Sequence, residues 1–234
     1  MVIIQHPQEP NPNEPTCRGE MIQVGGRSDR STGYLARSER SGPAILILHE
    51  WFGLQDSFKA LADRFCSEGF TALAIDMYDG YLATSVEEAE AFEGKLDHDA
   101  LVPRLVAAAR SLADNWHPRV GLMGFSLGAF MATKVAHEFP FEATSLVYGY
   151  TNIYPDRFSG ALQGHFAETD EFEPLEDARA YFEKLSNEGM DVEFHHYPGT
   201  GHWFANPGVP DAFDPQATEQ VFSRTVDFMH HHLA

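Results

Sequence analysis

The chain has 234 residues, of which 43% are hydrophobic and 22% are charged, which is enough for an α/β domain with a sizeable core. Its 35 acidic and 16 basic residues give a net charge of −19, and such a field opposes binding to nucleic acid or to an anionic membrane. No apolar stretch reaches the roughly 18 residues that indicate a membrane span.

The N-terminal segment is polar and rich in proline, and it lacks the basic start and the apolar stretch of a signal peptide. We expect residues 1–18 to form an irregular arm and residues 19–234 to form one domain. The spacing of Cys17 and Cys66 suggests neither a metal site nor a disulfide framework. A reduced, cytoplasmic setting is therefore the simplest interpretation.

Short apolar runs alternate with longer amphipathic stretches along the chain. Residues 20–24 and 33–36 are expected to form an antiparallel edge. Further strands are predicted at 44–48, 71–75, 119–123, 143–148, 161–167 and 192–197. Helices are predicted at 55–68, 87–94, 99–115, 127–138, 173–187 and 215–232. This alternation favours an α/β fold, with a mostly parallel central sheet covered by helices on both faces and no inserted lid domain.

One motif of this chain has the form Gly-x-Ser-x-Gly and covers residues 124–128. It directly follows an apolar run and directly precedes a helical pattern. Ser126 is therefore expected on a sharp strand-to-helix turn, with its hydroxyl held above the sheet. The five residues alone are a weak signal, and their setting between a strand and a helix makes the signal strong.

An acid and a histidine follow later predicted strands in the order that a Ser-Asp-His triad requires. His202 can accept the proton of Ser126, and Asp170 can fix the imidazole and stabilise its charged form. The backbone N–H groups of Leu127 and Trp51 are the expected oxyanion donors. The alternatives are an ordinary turn serine, a surface histidine, or one of the acids that neighbour Asp170, namely Glu168, Glu171 and Glu173. No metal site is recognisable, because the histidine pairs are adjacent in sequence.

These and other segments resemble the dienelactone hydrolase family of α/β-hydrolases. The matching segments are 48–53, 74–78, 121–128, 148–149, 170–174 and 201–204. The resemblance implies a lidless α/β-hydrolase fold, with Ser126 as nucleophile, Asp170 as acid and His202 as base. It also places Glu50 beside the nucleophile.

The chain departs from the family pattern in two respects. The family's type enzymes carry cysteine where this chain has Ser126, so Glu50 cannot pair with a thiol here. It holds the elbow, orients a water or shapes the pocket, unless it is only a structural carboxylate. The family's two arginines that bind a substrate carboxylate are also missing, since Gly80 and Asn206 stand in the corresponding segments.

Aromatic residues at the predicted strand ends suggest an apolar pocket with a few hydroxyl groups. The candidates are Trp51, Phe52, Tyr78, Tyr148, Tyr150 and Trp203. We therefore expect a carboxylic-ester hydrolase that forms an acyl-enzyme on small neutral esters or lactones, needs no cofactor, and is a monomer or a weak homo-oligomer. The alternatives are a peptidase or an acyltransferase with the same triad, or a non-catalytic binding protein on a hydrolase scaffold.

Overall fold

The computed structural model describes residues 17–25, 31–39 and 42–233. The arm expected at residues 1–18 therefore lies almost entirely outside the described residues. Within them, eight strands form one sheet in the order β1-β2-β4-β3-β5-β6-β7-β8. In chain order the strands are β1 (Arg18–Val24), β2 (Ser31–Arg37), β3 (Ala44–Leu48), β4 (Thr71–Ile75), β5 (Val120–Phe125), β6 (Ala143–Val147), β7 (Ala161–Thr169) and β8 (Val192–Gly201).

The sheet is parallel from β4 to β8, while β2 pairs antiparallel with both β4 and β1. The predicted antiparallel edge is thereby confirmed. Every residue of β3, β4, β5 and β6 is buried. Full burial explains their apolar composition, because a parallel sheet is covered on both faces.

The described residues contain six helices, five of which pack on the sheet. They are α1 (Asp56–Ser67), α2 (Val86–Glu93), α3 (His98–Asn115), α4 (Leu127–Ala136), α5 (Leu175–Asn187) and α6 (Pro215–Leu233). Helices α1 and α6 pack on one face, and α3, α4 and α5 pack on the other. In α1 the buried residues Phe58, Ala62 and Phe65 recur every three or four positions, which gives the helix one apolar side. The predicted α/β fold with helices on both faces is confirmed.

Across the described residues, no helix combines the length and the apolar character that crossing a membrane requires.

Cys17 and Cys66 form a disulfide, so the expectation of a reduced pair is wrong. Their Cα atoms lie 5.6 Å apart, although 49 residues separate them in sequence. Cys17 directly precedes the edge strand β1, and Cys66 lies in the last turn of α1, which packs against β1 and β2. Spacing along the chain carried no sign of this contact because tertiary packing creates it.

The carboxyl ends of the parallel strands β7 and β8 lie side by side at one edge of the sheet. Both strands run further than their apolar patterns predict, and Thr169 pairs with Gly201 at their ends. Asp170 directly follows Thr169 and His202 directly follows Gly201, so the pairing of these two strand ends brings Asp170 and His202 side by side. The next strands along the sheet bring Ser126 to the same edge, because β5 ends at Phe125 and α4 begins at Leu127.

Candidate active site

Ser126 occupies a tight turn between β5 and α4. Its φ of 50° and ψ of −115° lie in a region that a residue with a side chain rarely adopts. The flanking glycines are needed because the backbone passes so close. A Cβ on Gly124 would collide with the Gly128 carbonyl, and a Cβ on Gly128 would collide with the carbonyls of Leu48 and His49. The turn therefore exposes the serine hydroxyl at the end of the sheet.

His202 lies between Ser126 and Asp170. Its Nε2 is 2.9 Å from the Ser126 Oγ, and its Nδ1 is 2.7 Å from Oδ2 of Asp170. The Asp170 side chain is fully buried, and that of His202 is almost so. An imidazole in this position donates its Nδ1–H to the carboxylate, which leaves Nε2 free to accept the serine proton.

The second oxygen of Asp170 is also engaged. Its Oδ1 accepts the backbone N–H of Phe172 at 2.9 Å and that of Glu173 at 3.1 Å. Of the neighbouring acids, Glu168 instead accepts the N–H of Gly199, and Glu171 is exposed. Asp170 is thus the carboxylate that meets the imidazole, and backbone donors hold it in place.

The backbone N–H groups of Leu127 and Trp51 are the two candidate oxyanion donors. Leu127 is the first residue of α4, and no carbonyl within a helix accepts the N–H groups of its first turn. Trp51 lies in the turn after β3, which the Gly53 N–H closes on the Glu50 carbonyl at 3.2 Å. Since β3 pairs with β5, this turn lies against the start of α4. The positive end of the helix dipole adds to the attraction for a negative oxygen.

Glu50 is fully buried next to this turn. Its Oε2 accepts the Tyr148 hydroxyl at 2.9 Å, and its Oε1 accepts the side-chain amide of Asn206. Burial raises the pKa of Glu50 to about 7, although these two hydrogen bonds oppose the rise. The ring of Tyr148 in turn lies 4.9 Å from that of His202. Tyr148 thus connects the carboxylate with the triad.

His49, the residue before Glu50, has a structural role. Its Nε2 accepts the backbone N–H of Met77 at 3.0 Å, so its Nδ1 carries the proton and donates to the Glu50 carbonyl at 2.7 Å. Burial lowers the pKa of His49 to about 4 and keeps the ring neutral. The imidazole therefore ties the turn after β3 to the loop after β4.

Four aromatic side chains cluster around His202. Phe172 and Trp203 lie 4.8 and 5.0 Å from its ring, measured between ring centroids. Trp51 contacts both of these rings, and Phe52 packs against Trp203 at 6.0 Å. This cluster forms the wall of the site.

Two of the candidate pocket residues lie beneath the site rather than in its wall. Tyr148 is completely buried under His202. Tyr78 is also buried and packs against His49 and Phe92, and its hydroxyl has no hydrogen-bond partner among the described residues. Tyr150 stacks on Tyr181, at a distance of 5.1 Å. In the sequence, all of these aromatic residues stand near strand ends, so the sequence could not show which of them join the cluster of Trp51, Phe52, Phe172 and Trp203.

The sequence profile of the dienelactone hydrolase family matches residues 32–233. The chain belongs to the dienelactone hydrolase family. It is 29% identical over 229 residues to protein usf of Aquifex pyrophilus, covering 92% of this chain and 99% of that protein. A relative from Aquifex aeolicus (strain VF5), assigned by inference as a carboxymethylenebutenolidase, is 28% identical over the same shares of the two chains.

Among solved structures, m3DLH matches the fold with a TM-score of 0.81 at 21% identity, covering 93% of this chain and 99% of that one. At that identity the likeness concerns the fold alone. Family membership makes this chain a hydrolase of the esterase and lactonase type.

Two residues of this dienelactone hydrolase family member were missed as site residues by sequence reasoning. Phe172 stands inside a matching segment, two positions after Asp170, yet only its ring contacts reveal it as a neighbour of the base. Asn206 was noted only as the absence of an arginine, and the structure shows it as a partner of Glu50. The one signal available in the sequence was position along the chain, since Phe172 follows Asp170 by two residues and Asn206 follows His202 by four.

The charged groups around the site are acidic. Among the described residues, no lysine or arginine forms an ion pair with Glu50, Asp170 or Glu173. Burial and the nearby Asp170 raise the pKa of Glu173 to about 7. The described residues contain no group of three or more potential metal ligands.

Proposed function

We propose that this protein hydrolyses small neutral carboxylic esters or lactones through an acyl-enzyme on Ser126. The observation that carries the proposal is the hydrogen-bonded series Ser126, His202, Asp170, with distances of 2.9 and 2.7 Å, on a strained turn at a helix start. Membership of the dienelactone hydrolase family supports ester bonds as the target.

In the first half of the reaction the Ser126 Oγ attacks the carbonyl carbon, and its proton passes to Nε2 of His202. Asp170 stabilises the resulting imidazolium, and the N–H groups of Leu127 and Trp51 stabilise the oxyanion. The bond from carbon to the alcohol oxygen then breaks, and that oxygen takes the proton from Nε2. Water repeats the sequence on the acyl-enzyme and releases the acid.

The acidic surroundings favour neutral substrates. A substrate carboxylate needs a cation to bind it, and the side chain of Asn206, which stands in the segment where the resemblance places an arginine, is directed to Glu50. Ionised Glu173 and Asp170 would repel such a substrate further. An ester without a free carboxylate avoids both costs.

Hydrolysis of p-nitrophenyl acetate, combined with labelling by a fluorophosphonate, tests the proposal. The wild-type protein should turn over the ester and take up one label per chain, and Ser126→Ala should lose both. Ser223→Ala is the matched control because Ser223 is an exposed serine of α6, and it should keep both.

A faster reaction with the corresponding p-nitroanilide would favour a peptidase. Full labelling of Ser126→Ala would place the nucleophile elsewhere. Absence of both turnover and label in the wild-type protein would indicate a binding protein on a hydrolase scaffold.

A further inference from the structure

Phe172 is an aromatic side chain that packing alone does not explain. Half of its surface is exposed, at 50%, although its ring contacts those of His202, Trp51 and Trp203. Its ring lies 4.8 Å from that of His202 and 5.5 Å from that of Trp51, which it meets edge to face at 78°. The ring therefore lies next to both the imidazole and the turn that carries an expected oxyanion donor.

The transfer of the proton through His202 determines which part of an ester lies next to the Phe172 ring. Nε2 of His202 takes the Ser126 proton and hands it to the alcohol oxygen as the carbon–oxygen bond breaks. That oxygen must therefore come within hydrogen-bond distance of Nε2, roughly 2.6–3.2 Å. A substituent on that oxygen therefore lies next to the imidazole and contacts the side chains around it. Among the rings that contact His202, Phe172 is the one that is half exposed.

We propose that Phe172, with Trp51 beside it, binds the alcohol part of the substrate and makes the enzyme selective for esters of aromatic alcohols. The inference rests on the proposed ester hydrolysis at Ser126. An aromatic alcohol covers the exposed face of Phe172 and removes it from water, whereas a short alkyl alcohol leaves it exposed. The acyl part plays no role in this contact.

The chemistry of the triad can be separated from this contact by mutation. Asp170 accepts the backbone N–H of Phe172, which Phe172→Ala retains. The replacement therefore removes the ring without removing a donor to the catalytic carboxylate. It should lower kcat/KM for aromatic alcohol esters while leaving the series Ser126, His202 and Asp170 intact.

The experiment compares benzyl acetate with ethyl acetate, and adds ethyl phenylacetate, which carries the ring on its acyl side. Both acetates pass through the same acetyl-enzyme, so their deacylation rates are equal and kcat/KM reports acylation. Phe172→Ala should lower kcat/KM for benzyl acetate roughly ten-fold or more, which is the scale of an aromatic contact plus its buried area. It should change the values for ethyl acetate and ethyl phenylacetate by less than about two-fold.

Tyr154→Ala is the matched control, because Tyr154 is also half exposed, at 51%, but packs on His137 away from the triad. It should leave all three esters unchanged. Phe172→Leu, which keeps the apolar bulk, separates a lost ring from a disturbed turn and should fall between Phe172→Ala and wild type for benzyl acetate.

An equal loss for all three esters, or a loss confined to ethyl phenylacetate, would overturn the assignment of Phe172 while ester hydrolysis at Ser126 stands. If the wild-type protein hydrolyses none of the esters, or if Ser126→Ala hydrolyses them as well as wild type does, the proposed function itself fails. The two failures are thus distinguishable.

Discussion

The hydroxyl of Tyr148 donates to Oε2 of Glu50 at 2.9 Å, while the ring of Tyr148 lies 4.9 Å from the imidazole of His202. One buried side chain therefore contacts both the base and Glu50, a carboxylate that has no cationic partner among the described residues. Since the pKa of Glu50 is raised to about 7, its charge changes in the pH range where the enzyme would work. Tyr148 is the side chain that links this titrating carboxyl to the base.

Glu50→Gln should therefore lower kcat and shift the pH profile of ester turnover, because the neutral amide removes a titrating charge that Tyr148 links to the base. Tyr148→Phe should move the midpoint assigned to Glu50 upward, because it removes a hydrogen bond that favours the ionised carboxylate. Profiles of kcat against pH for the three proteins measure both effects. An unchanged rate and profile for Glu50→Gln would remove Glu50 from the mechanism.

The same carboxyl should make stability depend on pH. Its pKa is raised from 4.5 to about 7 by folding, so the native state binds more protons than the unfolded state between these values. The free energy of unfolding should therefore fall as pH rises from 4.5 to 7, by roughly 3 kcal/mol at most. Melting curves should show a shallower fall for Glu50→Gln, and the exposed control Glu183→Gln should behave as wild type.

The backbone at Ser126 predicts a difference between two inactive variants. Ser126→Ala and Ser126→Gly should both lower turnover by about 10⁴ to 10⁶. Only glycine relieves the positive φ of 50°, a strain worth on the order of 1–3 kcal/mol. Thermal unfolding should thus give Ser126→Gly the higher Tm, and equal values would mean that the turn stores no strain at this residue.

The acidic surroundings predict discrimination by charge. Diethyl succinate should have a kcat/KM at least about ten-fold above that of monoethyl succinate, and the gap should shrink as salt shortens the screening length from about 8 Å. Because Glu50 and Glu173 both ionise near pH 7, the gap should widen as pH rises from 6 to 8. Glu173→Gln should reduce that widening, and a preference for the anion would contradict the assignment.

The disulfide between Cys17 and Cys66 predicts a stability effect of reduction. The pair closes a loop of 49 residues, which is worth about 4 kcal/mol by loop-closure entropy. Dithiothreitol should lower the Tm of the wild-type protein to that of the variant in which both cysteines are serine, and should not change the variant. Identical melting of the oxidised and reduced wild-type protein would contradict a bond in solution.

The sequence predicted the strand and helix order because buried parallel strands are short apolar runs that stand out between amphipathic helices. It also predicted the order of Ser126, Asp170 and His202, since each follows a strand. It missed the lengths of β7 and β8 because no apolar pattern marks their last residues. Strand β7 ends on the exposed Glu168 and Thr169, and β8 ends on the segment Pro-Gly-Thr-Gly at 198–201.

Contacts across the fold escaped sequence reasoning for a different reason. The pairing of Cys17 with Cys66 and the bond from Asn206 to Glu50 join segments 49 and 156 residues apart. Propensity and periodicity describe neighbours along the chain, and neither describes which helix covers which strand. The same applies to Tyr148 and Phe172, two aromatics near the ends of predicted strands, one buried beneath the imidazole and the other exposed beside it.

Phe172 contributes its backbone to one task and its side chain to another. The N–H that holds Asp170 is present whatever residue other than proline occupies the position. The side chain can thus be replaced over generations while the proton shuttle continues to operate. At such a position, a single substitution can change which alcohol the enzyme accepts and still leave the donor to Asp170 in place.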